Sequence, residues 1–226
     1  MKKLLLALLV VVGLLGAAWA VDEYVRGRTE AQIAAEVGET VGAPVEVSVG
    51  GFPFLTQVAA GSLDHVELDL PEVTLDGIHL VEAHVTARGA TTSQPTTIRA
   101  LTATALLPIE ELDRLFKAES GLTADIEVRG ESLSFTGEVL GAELAVVFRP
   151  VLVEGGISLE PEELRLGGRS LDVSRLGGLI DGLGRSLVLP VGLPDGLRLS
   201  SLRIEPRGVQ VELRGTDFTP DDAMFR

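Results

Sequence analysis

Apolar and polar residues alternate along most of the chain. Val45 and Val47 alternate with Glu46 and Ser48 and run into the turn residues Gly50-Gly51. Residues 65–70 set Val66, Leu68 and Leu70 opposite Glu67 and Asp69, and residues 81–88 set Val81, Ala83, Val85 and Ala87 opposite Glu82, His84, Thr86 and Arg88. A period of two places alternate side chains on opposite faces of a strand, so these segments read as half-buried β-strands. The same rhythm recurs over 125–129, 133–139, 143–153, 197–204 and 209–214, with Gly, Pro and Asp between the runs. Strands that follow one another through short turns pair antiparallel, because parallel pairs need long crossovers.

Two stretches change to helical spacing. Ile109, Leu112, Leu115 and Phe116 fall on one face of a predicted helix over 109–116. Leu176, Leu179, Ile180, Leu183 and Leu187 do the same over 173–187, weakened by Gly177, Gly178, Gly182 and Gly184, each costing up to about 1 kcal/mol relative to Ala. That helix needs a partner surface. The pattern as a whole predicts an α+β fold.

The N-terminus has a different character. Lys2-Lys3 precede an uninterrupted apolar run, Leu4 to Val21, and Asp22-Glu23 follow it. This is the pattern of an export signal, and the positive-inside rule places everything after Asp22 outside the cytoplasm. Ala18-Trp19-Ala20 has the small-x-small form of a cleavage site. The helical rhythm of Val25, Ile33, Ala34 and Val37 instead suggests one helix that leaves the membrane and continues over 22–41. Residues 1–21 are therefore expected to be a signal peptide or a signal anchor, 22–218 a single domain, and 219–226 a tail.

The formal charge is −14, and loss of Lys2 and Lys3 with a cleaved signal would make it −16. Such a surface repels a phosphate backbone, which argues against a nucleic-acid partner. The absence of cysteine excludes disulfides and thiolate chemistry. Of the three histidines, His79 and His84 lie five apart on a predicted strand and point to opposite faces, so a shared metal site would need a bulge between them. Glu110-Glu111 reads as a solvated first helical turn and Glu162-Glu163 as a solvated loop. The chain carries no nucleophile elbow, zincin, Walker or dinucleotide-binding motif. A non-enzyme without cofactor or metal is expected.

The most unusual segment is Gly50-Gly51-Phe52-Pro53-Phe54-Leu55-Thr56-Gln57. Two phenylalanines flank a proline directly after a flexible Gly pair, and the segment reads either as an apolar plug at one end of the core or as a ligand contact. Together with Val58-Ala59-Ala60-Gly61-Ser62-Leu63-Asp64-His65-Val66-Glu67-Leu68 it resembles the hallmark of the actinobacterial LmeA-like phospholipid-binding family. The segments around 107–116, 155–168 and 193–218 are similar to that family as well.

The resemblance implies a cell-envelope protein, anchored at the outer face of the cytoplasmic membrane or released into the periplasm. Its expected partners are phospholipid, with phosphoinositide a candidate, and the membrane, and its expected role is to support maturation of glycolipids such as lipomannan. It also implies a long curved antiparallel sheet wrapping one or two helices, similar to tubular lipid-binding modules. Small or medium inward positions such as Val81, Ala83, Val85 and Ala87 suit a core that leaves room for acyl chains. Phe52, Phe54, Leu55, Leu112, Leu115, Phe116, Leu179, Ile180 and Leu183 are the expected lipid-contacting residues, with Arg169, Arg175 and Arg185 as candidates for the head group. The alternative is an interaction protein that docks on an envelope enzyme and holds no ligand of its own.

Overall fold

The computed structural model describes residues 2–75, 77–93, 95–120, 125–139, 142–153, 156–171, 187–190, 193 and 196–219. For 2–17, 119–120, 138–139, 142, 171 and 187–190 it describes the backbone alone. In chain order the elements are α1 (Lys2–Val41), β1 (Glu46–Gly50), α2 (Phe54–Ala60), β2 (Ser62–Leu75), β3 (Ile78–Thr91), β4 (Ile98–Pro108), α3 (Ile109–Ser120), β5 (Asp125–Arg129), β6 (Ser132–Val139), β7 (Ala142–Val153), β8 (Gly156–Leu166), β9 (Arg169–Leu171), β10 (Leu187–Pro190), β11 (Leu197–Glu205) and β12 (Gly208–Phe218). The expected α+β class, antiparallel throughout, is what the chain forms.

The strands make two sheets where one long sheet was expected. The first runs β1-β2-β3-β4-β12-β11, and the second β10-β8-β7-β6-β5, with β9 on β8. The division follows from α3, which carries the chain away at the end of β4. The place beside β4 is then taken by β12, nearly a hundred residues later, and the hairpins between pair among themselves. Helix α3 fastens the two sheets together. Its Ile109, Leu112 and Phe116 pack on a cluster formed by Ile126 and Leu133 of the second sheet and Val209 of the first.

Helix α1 is continuous from Lys2 to Val41 and lies against the first sheet, with Val25 and Ile33 on a cluster of Val49, Phe54, Leu63, Val66, Ala87, Ile98 and Phe218. Glu30 Oε1 accepts a 2.7 Å hydrogen bond from the Val49 N–H, which occupies a donor on the edge strand β1. Among the described residues no helix is long and apolar enough to cross a membrane. The apolar run Leu4 to Val21 falls mostly on positions where only the helical backbone is described.

Several local expectations change. Residues 54–60, for which the sequence pattern predicted no element, form α2. Strand β4 was missed although Leu101, Ala103 and Ala105 alternate there with Thr102 and Thr104, and β8 was missed because Pro161 and the adjacent acids look like a loop. Pro161 sits opposite Phe148 at a register shift, where a strand tolerates a missing N–H donor. Glu162 accordingly is no loop residue: it accepts from Ser132 Oγ and pairs with Arg149, while Glu163 takes Arg165 Nε at 2.8 Å. The bulge between His79 and His84 does exist, at Glu82 (φ 51°), and it shifts β3 against β4. It also makes Leu80 rather than Val81 the residue that packs inward. The His84 ring is paired with Asp69 directly across the strand, and no group of three potential metal ligands forms among the described residues. The expected helix over 173–187 lies outside the described residues except for Leu187, which begins β10.

Glu111 is buried, contrary to its reading as a solvated acid. It accepts from Arg114 Nε at 2.8 Å and from the His79 N–H at 3.0 Å, and Arg114 also donates to the Gly77 carbonyl at 2.6 Å, so α3 is fastened to the β2–β3 turn. The Arg114 hydrogen bonds, and then that of His79, outweigh desolvation and hold the Glu111 carboxyl down at about 2. A folded pKa below the unfolded value means that this contact stabilises fully above the ordinary glutamate range and is lost as pH falls through it towards about 2. Glu111→Gln is expected to lower stability at pH 7 and to flatten the decline between about pH 4.5 and 2. Urea midpoints across that range check it, and an unchanged slope would refute the assignment.

Candidate functional site

The glycine and phenylalanine motif forms the joint between α1 and the first sheet. Gly51 has φ +94°, and a Cβ there would meet Gln57 Nε2 at 2.4 Å, so both conformation and space call for glycine. The Phe52-Pro53 peptide is cis. Gln57, buried, donates to the Gly50 carbonyl at 3.1 Å and accepts from the Asp64 N–H at 2.8 Å, which closes the segment on both of its flanking strands. Gly61 ends α2 in the left-handed conformation.

Asp22 reaches this joint from α1. Its carboxylate accepts from the N–H groups of Phe54 at 3.0 Å and Leu55 at 2.8 Å, the unpaired donors at the start of α2. Burial pushes the Asp22 carboxyl up, but the hydrogen bonds from Leu55 and Phe54 and the Arg26 charge outweigh it and leave the group below the ordinary aspartate value. Arg26 donates to the Gly51 carbonyl at 2.9 Å, with its guanidinium carbon 6.0 Å from the Phe54 ring centre. Sequence reading passed over Asp22 as a mere flank of the apolar run. Its one legible signal was an acid three residues from the helix's first inward-packed position, Val25.

The expected contact residues separate. Phe54 is fully buried in the core beneath α1, whereas Phe52 is 68% exposed and Leu55 40% exposed. Leu112 and Phe116 pack where the two sheets meet, and Leu115 is half-buried on the same helix. Leu179, Ile180 and Leu183, with Arg175 and Arg185, lie outside the described residues, and Arg169 is an exposed residue of β9.

A more continuous apolar feature crosses the first sheet at right angles to its strands. The register places Val47, Leu68, Val85, Ala103, Leu213 and Leu199 directly opposite one another on β1, β2, β3, β4, β12 and β11. All six are half-buried. The row on one side (Val49, Val66, Ala87, Leu101 and Leu197) belongs to the core beneath α1. On the other side Leu70, Ala83 and Ala105 belong to a second cluster, and Val211 and Leu202 to the one beneath α3. Val47 and Leu68 are drawn under α1, but among the described residues Val85, Ala103, Leu213 and Leu199 join no cluster. At about 4.8 Å per strand these four span about 14 Å, close to half of a hydrocarbon core of about 30 Å.

The strip ends on the edge strand β11. There Arg198 and Arg214 stand directly opposite each other on the sheet's other face, and an open cleft of about 250 Å³ is lined by Gly196, Leu197, Arg198, Arg214, Gly215 and Thr216. Arg214 donates to Glu212 at 2.6 Å, and Arg198 has no ion pair among the described residues. Two like charges in direct register disfavour each other unless an anion lies between them. Sequence alternation set Val47, Leu68 and Val85 on apolar faces, but Ala103 lies on the missed β4, and nothing in the pattern showed that one row would be left between clusters.

Residues 13–214 match a protein family described as LmeA-like phospholipid-binding. No curated protein and no solved structure matches the chain.

Proposed function

The chain belongs to the LmeA-like phospholipid-binding family, and from that premise we propose that it holds a phospholipid without catalysing a reaction, one acyl chain lying along Val85, Ala103, Leu213 and Leu199. The observation that carries this reading is the half-buried row between filled clusters. The row is apolar across all six strands, and the four residues outside the clusters are about as long as one acyl chain is deep in a leaflet. Each methylene it removes from water gains about 0.8 kcal/mol. A head group that turns round the β11 edge would bring its phosphate to Arg198 and Arg214 on the other face, which offsets locally the repulsion expected from a chain of net charge −14. Inositol phospholipid is among the lipids this edge would accept.

The proposal places the domain at the outer face of the cytoplasmic membrane, carried there by Leu4 to Val21, where a bound lipid would serve the maturation of envelope glycolipids such as lipomannan. Extraction and mass spectrometry of the full chain, purified and washed free of loosely held lipid, test the reading. Stoichiometric phospholipid is the expected result. A folded chain that carries none and takes none from vesicles would overturn it and leave docking on an envelope enzyme as the reading to pursue.

A further inference from the structure

Among the described residues, nine large apolar side chains are exposed, and six of them gather around one point of the fold. Trp19 (59%), Val21 (53%) and Tyr24 (65%) project from different sides of α1 within a turn of Asp22. Phe52, Leu55 and Val58 project from α2 and the turn before it, and α2 is held at this level by the Asp22 and Arg26 hydrogen bonds. Trp19 and Tyr24 are the chain's single tryptophan and single tyrosine. These two residue types concentrate where a spanning segment meets the head groups, because a ring with a polar atom satisfies both neighbours there.

We propose that α2 is a second membrane contact, in which Phe52, Leu55 and Val58 enter the boundary between head groups and acyl chains beside the point where α1 emerges. The occupant is a lipid bilayer, argued from the continuity of α1: the helix that ends its apolar run at Val21 is the one to which α2 is fastened one residue later. This rests on the membrane placement proposed above. The contact is apolar, so it requires no anionic lipid, as an acidic protein demands. Asp22 has a defined part in it. Its carboxylate satisfies the two N–H groups that would otherwise enter the interface unpaired, and it gathers the patch at one height.

Intrinsic fluorescence in phosphatidylcholine vesicles tests the proposal with the full chain. In the native protein Trp19 alone reports on α1. A Phe52→Trp substitution in a Trp19→Phe chain reports on α2, and Leu55→Trp on the same background gives an independent reading if the first fails to fold. The α2 probes are expected to emit at shorter wavelength than in water and to be quenched by lipids brominated near the glycerol. An unquenched, water-like probe at both 52 and 55 alongside a quenched Trp19 would overturn the α2 contact while the α1 anchor stands. Loss of quenching at all three positions would overturn both.

Discussion

Replacing Phe54 by Ala is expected to cost about 3–5 kcal/mol of folding stability, the range for removing a large aromatic from a filled core. The ring is fully buried among Val49, Leu63, Val66, Ala87, Ile98 and Phe218, with Arg26 over its face. Its neighbours come from β1, β2, β3, β4 and β12, so a cavity there loosens five strands at once, and the glycine turns around it are already committed. Phe52→Ala, two residues away and 68% exposed, is expected to change stability by no more than about 0.5 kcal/mol. Urea unfolding of the two variants side by side measures the contrast. Equal costs would mean that the motif does not divide into a buried and an exposed phenylalanine.

The second large effect is on lipid. Ala103 is the smallest side chain of the strip, between Val85 and Leu213, on a strand paired on both sides. Ala103→Trp would fill the middle of the strip and displace at least three methylenes of an acyl chain. At about 0.8 kcal/mol each this costs about 2.4 kcal/mol, or roughly fifty-fold in affinity. Folding should be affected less than uptake, because Ala103 itself belongs to none of the core clusters among the described residues. Transfer of labelled phospholipid from vesicles, read beside the urea midpoint, separates the two quantities. Undiminished uptake by a folded Ala103→Trp chain would show that the acyl chain lies elsewhere.

Alternation made the sheet faces legible, since a strand with one wet side must repeat every second residue, and 125–129 is β5 to the residue. The same rule misplaced Val81, because a single extra residue at Glu82 reverses the face and nothing in a polar-apolar string marks a bulge. Residues 54–60 carry only seven positions, too few for helical spacing to declare itself. The capping acid that makes α2 possible comes from Asp22, 32 residues earlier. Glu111 illustrates the same limit. Its position in a first helical turn was legible and its burial was not, because that depends on the β2–β3 turn meeting α3. Of the candidate strip only Val47, Leu68 and Val85 were legible, as apolar positions of predicted strands. Its continuity depends on the register of six strands, and its openness on where α1 and α3 stop covering the sheet.

The Glu30 hydrogen bond to Val49 sets a height. It ties the sheet to α1 nine residues beyond Val21, and at 1.5 Å per residue that is about 14 Å along the helix. With α1 standing in the bilayer as proposed and Asp22 holding its base, the sheet has no hinge on which to stoop towards the lipid surface. A phospholipid reaching the row of Val47 and Leu68 must first be drawn up by about the depth of its own leaflet. On the proposed placement the chain would be a shelf at fixed elevation, one that meets a lipid only after the lipid has been raised clear of the membrane.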